Sequence, residues 1–432
     1  MNVLSIQILS LIGLSNQRAL SRISRVPEEN SKKISLLMID SKKRSTNRKR
    51  RSVQELELEP DMRVATSIYR CMAFYTNRNI HRIKPNLFST KSSMDNMQPP
   101  ESKIEDVFCR LRDDNEIFLL DGGTGEELFR RKVPDDRKIW SATALVHSQY
   151  HGILEDVHTS FLQSGSNAIT TNSYGVVPGV GFKPQEISEY IRESGKIARS
   201  AVKKHKDRSK SPAFVLGSMG PLIESYRADM ILPHDEGVKG YELAYQSLAP
   251  FVDAFLAETM SCVDESIQVL DAVARSAETT KRPFVLISYS VDSEGNFRDG
   301  EKLMDGMQRI LEEAKEKRDK VQVLAILFNC SEPEVISQAL ERINNDTNLM
   351  NELKSSQVLL GAYANTLTPI DPNWTLAESD TAQPLRNDLN EERYWKDFVE
   401  VWVNKFGVRI VGGCCGITPE HIQYIRQKLD SR

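Results

Sequence analysis

Two adjacent cysteines, Cys414 and Cys415, lie among glycines Gly412, Gly413 and Gly416, directly after the apolar run Val408 to Val411. Neighbouring side chains on a strand point to opposite faces, but a glycine-rich turn lets both thiols face one point. A third cysteine, Cys330, closes another apolar run, Val323 to Phe328, in the same way. Three thiols at two strand ends, with no obvious fourth ligand, describe a zinc site with one position left for substrate. Three thiolates on a dication leave one net negative charge. A substrate thiol bound there would be deprotonated and still nucleophilic, which favours alkyl transfer onto sulfur over hydrolysis. Two other readings stay open at this point: a Cys414–Cys415 disulfide acting as a thiol redox sensor, and inert buried thiols. Cys71, Cys109 and Cys262 have no such glycine context.

Asp121 and Glu258 each close an apolar run and read as anchors for the amino group of a small zwitterionic substrate; the competing reading is an internal salt bridge. The glycines of Asp121-Gly122-Gly123-Thr124-Gly125 lack both the lysine of a phosphate loop and the dinucleotide spacing. His147 and His151 have the i, i+4 spacing of metal ligands and share a helical stretch with His158. No HExxH pattern accompanies them, so they read as surface or packing residues.

Positioning these groups falls to a repeating pattern. Apolar runs that read as strands are 117–121, 167–171, 213–217, 254–258, 283–289, 323–328, 358–363 and 408–411. Helical periodicity fills 141–163, 185–205, 237–251, 262–278, 302–317, 333–343, 391–406 and 419–429. Short unbroken apolar runs alternating with helices imply a parallel sheet covered by helices, and eight such units imply a (β/α)8 TIM barrel. In that fold the working groups come from the C-terminal ends of strands, which permits Glu258, Cys330 and the cysteine pair to converge, although their spacing alone does not show it.

Hydrophobic residues make up 40% of the 432 and charged residues 27%, which is ordinary for a globular enzyme. A net charge of -3 without a basic stripe in the folded part gives no reason to expect nucleic acid, and no apolar run is long enough to span a membrane. Six scattered cysteines do not make a disulfide scaffold. No dimerisation element is recognisable, so the oligomeric state is open, a monomer included. Residues 1–112 read as a disordered extension ahead of a barrel domain at 113–432. The extension holds the basic run Lys42 to Arg51 and two arginine-bearing, acid-free stretches, before Glu28 and from Met72 to Ser93. It is either a mitochondrial or plastid transit peptide or an extension ahead of a cytoplasmic start.

The segments LLDGGTGEEL (119–128), ITTNSYG (169–175), GSMGP (217–221), AETM (257–260), FNCS (328–331) and GGCCGITPEHI (412–422) together resemble the homocysteine S-methyltransferases, over residues 117–429. The resemblance implies a zinc-dependent barrel that methylates homocysteine to methionine. In it Cys330, Cys414 and Cys415 match the three metal ligands and form the catalytic centre. Asp121 and Glu258 match the positions that hold the homocysteine amino group, with Gly122 and Thr171 in the matching substrate loops. Betaine-using members carry a tyrosine after the matching glutamate and a long C-terminal arm, whereas Thr259 follows Glu258 here and seventeen residues follow Cys415. Folate-using members carry further domains. A sulfonium donor is therefore expected, S-methylmethionine or S-adenosylmethionine. One departure is Tyr363-Ala364-Asn365-Thr366, where the family has proline before the asparagine; Asn365 is kept as a substrate contact, and the long polar loop that follows suggests a different lid over the donor.

Overall fold

The computed structural model describes residues 103–114, 116–206, 212–277, 282–368 and 384–432. The expected leader and basic run fall outside them, as does most of the polar loop after the seventh strand. Eight parallel strands form one sheet: β1 (Phe118–Leu119), β2 (Ala168–Thr170), β3 (Phe214–Met219), β4 (Ala254–Met260), β5 (Phe284–Tyr289), β6 (Gln322–Asn329), β7 (Leu359–Tyr363) and β8 (Ile410–Val411). Every apolar run read as a strand is one. Both faces of each strand are covered, so the runs need no polar alternation; β3 is buried at all six positions. Phe118, Leu120, Ala168, Phe214, Leu216 and Leu256 fill the barrel. Their neighbours Leu119, Ile169, Val215 and Phe255 pack outward in the core shared with the helices.

The strand order runs β1-β8-β7-β6-β5-β4-β3-β2, so β1 and β2 are its two ends. One backbone bond and several side-chain bonds join them. Asn167 N donates to Leu119 O at 2.6 Å, and Leu119 N donates to Asn167 Oδ1 at 2.8 Å. Two residues higher, Asp121 Oδ2 accepts from Thr170 N at 2.7 Å and Oδ1 from Thr170 Oγ1 at 3.0 Å. The barrel is thus nearly closed by backbone and finished by an asparagine and an aspartate.

Three expectations about elements need correction. The stretch assigned to a disordered extension contains the helix Ile104–Asp113, so the barrel's own structure starts before residue 113. Ile104, Val107, Phe108 and Leu111 form its buried stripe, and the Phe108 ring lies 5.5 Å from Phe118 inside the barrel. The expected helix over 141–163 is broken: His147 takes an extended backbone, φ -109° and ψ 100°, between Thr143–Val146 and the helix His151–Gln163. Asn172 Nδ2, at the top of β2, holds Ser141 O at 2.9 Å and fixes the first part of that stretch over the barrel mouth. The third is a π-helical turn, Tyr394–Val399, inside the expected helix over 391–406. A further helix, Thr347–Ser356, had no counterpart in the sequence reading; the Asp346 carboxylate caps it by accepting from Leu349 N at 3.0 Å. Among the described residues no helix is long and apolar enough to cross a membrane.

Candidate active site

The cysteine turn is built by its neighbours on β7. Cys414 N donates to Ala364 O at 2.9 Å and Thr366 N donates to Cys415 O at 2.9 Å. Tyr394, fully buried in the π-helical turn, bridges the two strands: its hydroxyl accepts from Ala364 N at 3.1 Å and donates to Gly412 O at 2.8 Å. Gly416 closes the turn at φ 79°, a conformation side chains resist, and a Cβ there would overlap Thr366 Oγ1. Cys330 arrives from the top of β6 at φ 46°.

These elements bring the three expected sulfurs within 4.8 Å of one another, the one such group of potential metal ligands among the described residues. Cys330 and Cys414 are joined as a disulfide, with Cα atoms 5.8 Å apart, and Cys415 is free. The redox-sensor alternative is corrected by this pairing. It required Cys414 to bond its neighbour, yet the turn aims Cys414 past β7 at Cys330 above β6. With the disulfide reduced, the donor set suits zinc: tetrahedral Zn–S bonds of about 2.3 Å place sulfurs about 3.8 Å apart, within the observed span. Burial pushes the Cys415 thiol up to about 12, and the charges of Glu126 and Glu258 add to this. A thiolate is therefore disfavoured here unless a cation offsets those charges.

The sulfurs open into a cavity of about 140 Å³ whose walls include Asp121, Gly122, Thr171 and Glu258. Asp121 and Glu258 are both raised to about 7, in each case by burial above all. Ser218 Oγ donates to Glu258 Oε1, and Tyr363 OH donates to Oε2 at 3.4 Å. No salt bridge between the two acids and a basic side chain accounts for them, among the described residues. Thr171 lines the cavity, but its hydroxyl accepts from Ser218 N at 2.9 Å and shares a 2.8 Å contact with Ser173, so it shapes the wall. At Gly122 a Cβ would overlap the Ile417 carbonyl oxygen and stand 2.9 Å from Phe161. Asn365 is not on the cavity wall. It turns inward behind it, where Oδ1 accepts from Leu367 N at 3.2 Å and Nδ2 is buried without a partner. The histidines lie elsewhere: His158 is fully buried in its helix, and His151 Nε2 meets Leu145 O at 3.0 Å.

The sequence profile described as homocysteine S-methyltransferase matches residues 118–429. The chain belongs to the homocysteine S-methyltransferase family. Homocysteine S-methyltransferase 2 of Arabidopsis thaliana is 24% identical over 334 residues, 73% of this chain and 93% of that protein. A Betaine-homocysteine S-methyltransferase of Drosophila melanogaster is 23% identical, across 63% of this chain and 82% of its own. Among solved structures, the metallated form of the homocysteine methyltransferase MmuM from Escherichia coli superposes with a TM-score of 0.57 at 21% identity, covering 74% of this chain and 99% of that one. That likeness carries the barrel fold.

Within this family member, Asn329, part of the FNCS segment, is a residue to which sequence reasoning gave no role. It is wholly buried between β4 and β6. Its Oδ1 accepts from Thr259 N at 3.1 Å and from Ser288 Oγ at 2.7 Å; its Nδ2 donates to Thr259 Oγ1 at 2.8 Å and faces Cys414 Sγ at 4.0 Å. Thr259 has φ 61°, an uncommon conformation for a β-branched residue. Asn329 thus holds the strained residue next to Glu258 and touches the cysteine cluster as well. The only signal in the sequence was its place beside Cys330.

Proposed function

We propose that this barrel transfers a methyl group from a sulfonium donor to homocysteine, giving methionine. The observation that carries the reading is the convergence on one small cavity of three cysteine sulfurs and two carboxyls that have no ion-pair partner among the described residues. Cys330, Cys414 and Cys415, once reduced, would hold a zinc ion, which supplies the Lewis acidity that keeps a substrate sulfur deprotonated at neutral pH. Asp121 and Glu258 take the homocysteine ammonium. Held near 7 by burial, both carboxyls become anions when a cation arrives, so the amino group and the ionised pair stabilise each other in a site too dry for either alone. Gly122 and Thr171 keep the floor close and rigid.

In the transfer the donor's methyl–sulfur bond breaks and its electron pair stays on the donor sulfur, while the homocysteine sulfur forms the new bond. The thiol proton goes to solvent. A cationic donor loses its charge in the step, and the surplus of acids around the cavity favours its approach. Thr259 in place of an aromatic residue beside Glu258 supports a donor other than betaine. The test is a donor panel with reduced, zinc-loaded protein and homocysteine, following methionine from S-methylmethionine, S-adenosylmethionine, betaine and methyltetrahydrofolate. Methionine from a sulfonium donor alone supports the reading; turnover with betaine alone, or with none of the four, defeats it.

A further inference from the structure

The cavity is lined by two charged side chains besides Asp121 and Glu258. Glu126, in the first turn of the helix Thr124–Arg130, and Arg137, in the loop before Trp140, line the same walls as the cysteines. Among the described residues no hydrogen bond reaches the Glu126 carboxylate. Burial raises it above the usual carboxylate range, Asp135 adds to this, and Arg137 opposes it. Its charge is also felt at Cys415, which lines the same cavity. Arg137 is 21% exposed, and its Nη1 lies 3.2 Å from Asp135 Oδ2. That contact anchors a planar guanidinium that also lines the cavity.

A carboxylate and a guanidinium lining one cavity, each within reach of the other's charge, complement a free amino acid head, which carries an ammonium and a carboxylate. Homocysteine has its ammonium partners in Asp121 and Glu258, on the tops of β1 and β4. We infer that Glu126 and Arg137 form a second amino-acid clamp, which binds the ammonium and the α-carboxylate of the methyl donor. The donor is then a sulfonium that carries a free α-amino acid head, a feature S-methylmethionine and S-adenosylmethionine share. Betaine has a carboxylate for Arg137 but no N–H for Glu126. The inference rests on the pocket being a homocysteine methylation site, and it adds the donor's head group as the element of selection.

The experiment uses the full chain, reduced and zinc-loaded, with saturating homocysteine. Three donors are compared: S-methylmethionine, S-adenosylmethionine, and dimethylsulfonioacetate, a sulfonium with a carboxylate and no amine. Glu126→Gln should lower kcat/KM for the amino acid donor in use by about tenfold or more, the range of one charge-assisted hydrogen bond. The same variant should leave turnover of dimethylsulfonioacetate within about twofold. Arg137→Gln should lower all three, with partial recovery in Arg137→Lys. The KM for homocysteine should stay within about twofold in each variant. Calorimetric titration of S-methylmethionine into each variant provides a second readout independent of turnover. Glu126→Gln that loses nothing with amino acid donors, or loses equally with dimethylsulfonioacetate, overturns the clamp while the methylation reading stands. Wild-type protein that makes no methionine from any donor overturns the methylation reading first and the clamp with it.

Discussion

Replacing Asn329 by alanine tests how far the site depends on a residue that stands behind the cavity wall, against Thr259 and Cys414. The change strands two buried donors, Thr259 N–H and Ser288 O–H, and removes the bond from Nδ2 to Thr259 Oγ1. A buried donor left without a partner costs about 1–3 kcal/mol, and an ordinary lost bond about 1 kcal/mol. Relief of the left-handed Thr259 backbone returns about 1–2 kcal/mol, because that residue is then free to relax. The net expectation is a loss of about 2–4 kcal/mol in urea unfolding with the slope unchanged. That relaxation moves the neighbouring Glu258, so the KM for homocysteine should rise by about tenfold even where enough folded protein remains. Thr259→Gly separates the two effects: it keeps the N–H and accepts the φ without strain, and combined with Asn329→Ala it should give less than the sum of the single losses. An Asn329→Ala protein with wild-type stability and wild-type KM would refute the idea that this amide holds the site.

Other consequences can be checked in the same preparations. Serine at Cys330, Cys414 or Cys415 should each remove both bound zinc, measured by atomic emission, and methionine formation; the wild-type chain should take up metal only after a thiol reductant opens the Cys330–Cys414 bond. Asp121, Glu258 and Glu265 are all raised to about 7 by burial, so between the usual carboxylate range and 7 the folded chain binds more protons than the unfolded one. Stability in urea should therefore fall as pH climbs from about 4 to 7 and level off above, while kcat/KM for homocysteine rises over the upper part of that window as the acids ionise. Gly416→Ala, forced into φ 79° against Thr366, should displace Cys415 and weaken zinc binding by at least about tenfold, read by competition with a chromogenic chelator.

The strands were legible because a barrel strand buried on both faces must be a short unbroken apolar run, and the same logic placed the cysteines and Asp121 and Glu258 at one end. What sequence could not supply was direction. Asn365 lies two residues past β7 and Cys330 one past β6, yet the amide turns behind the wall while the sulfur turns into the cavity. Asn329 escaped notice for a related reason: its value lies in contacts 70 and 85 residues away along the chain. The helix Ile104–Asp113 was hidden by its setting, since ten residues with one apolar stripe are hard to separate from the polar stretch before them. Glu126 and Arg137 carried no strand-end signal at all; only the folded cavity shows them lining the same space as the sulfurs.

The seam between β1 and β2 gives the molecule an internal gauge. Asp121 fastens the last open edge of the barrel through Thr170, and the same carboxyl is offered to whatever cation enters the cavity. Closing the cylinder and greeting a ligand are therefore handled by one pair of oxygen atoms. An occupant that holds Asp121 ionised strengthens its grip on the Thr170 amide, so the slowness with which that single proton exchanges with water becomes a running record of occupancy, readable in the intact protein without following any reaction.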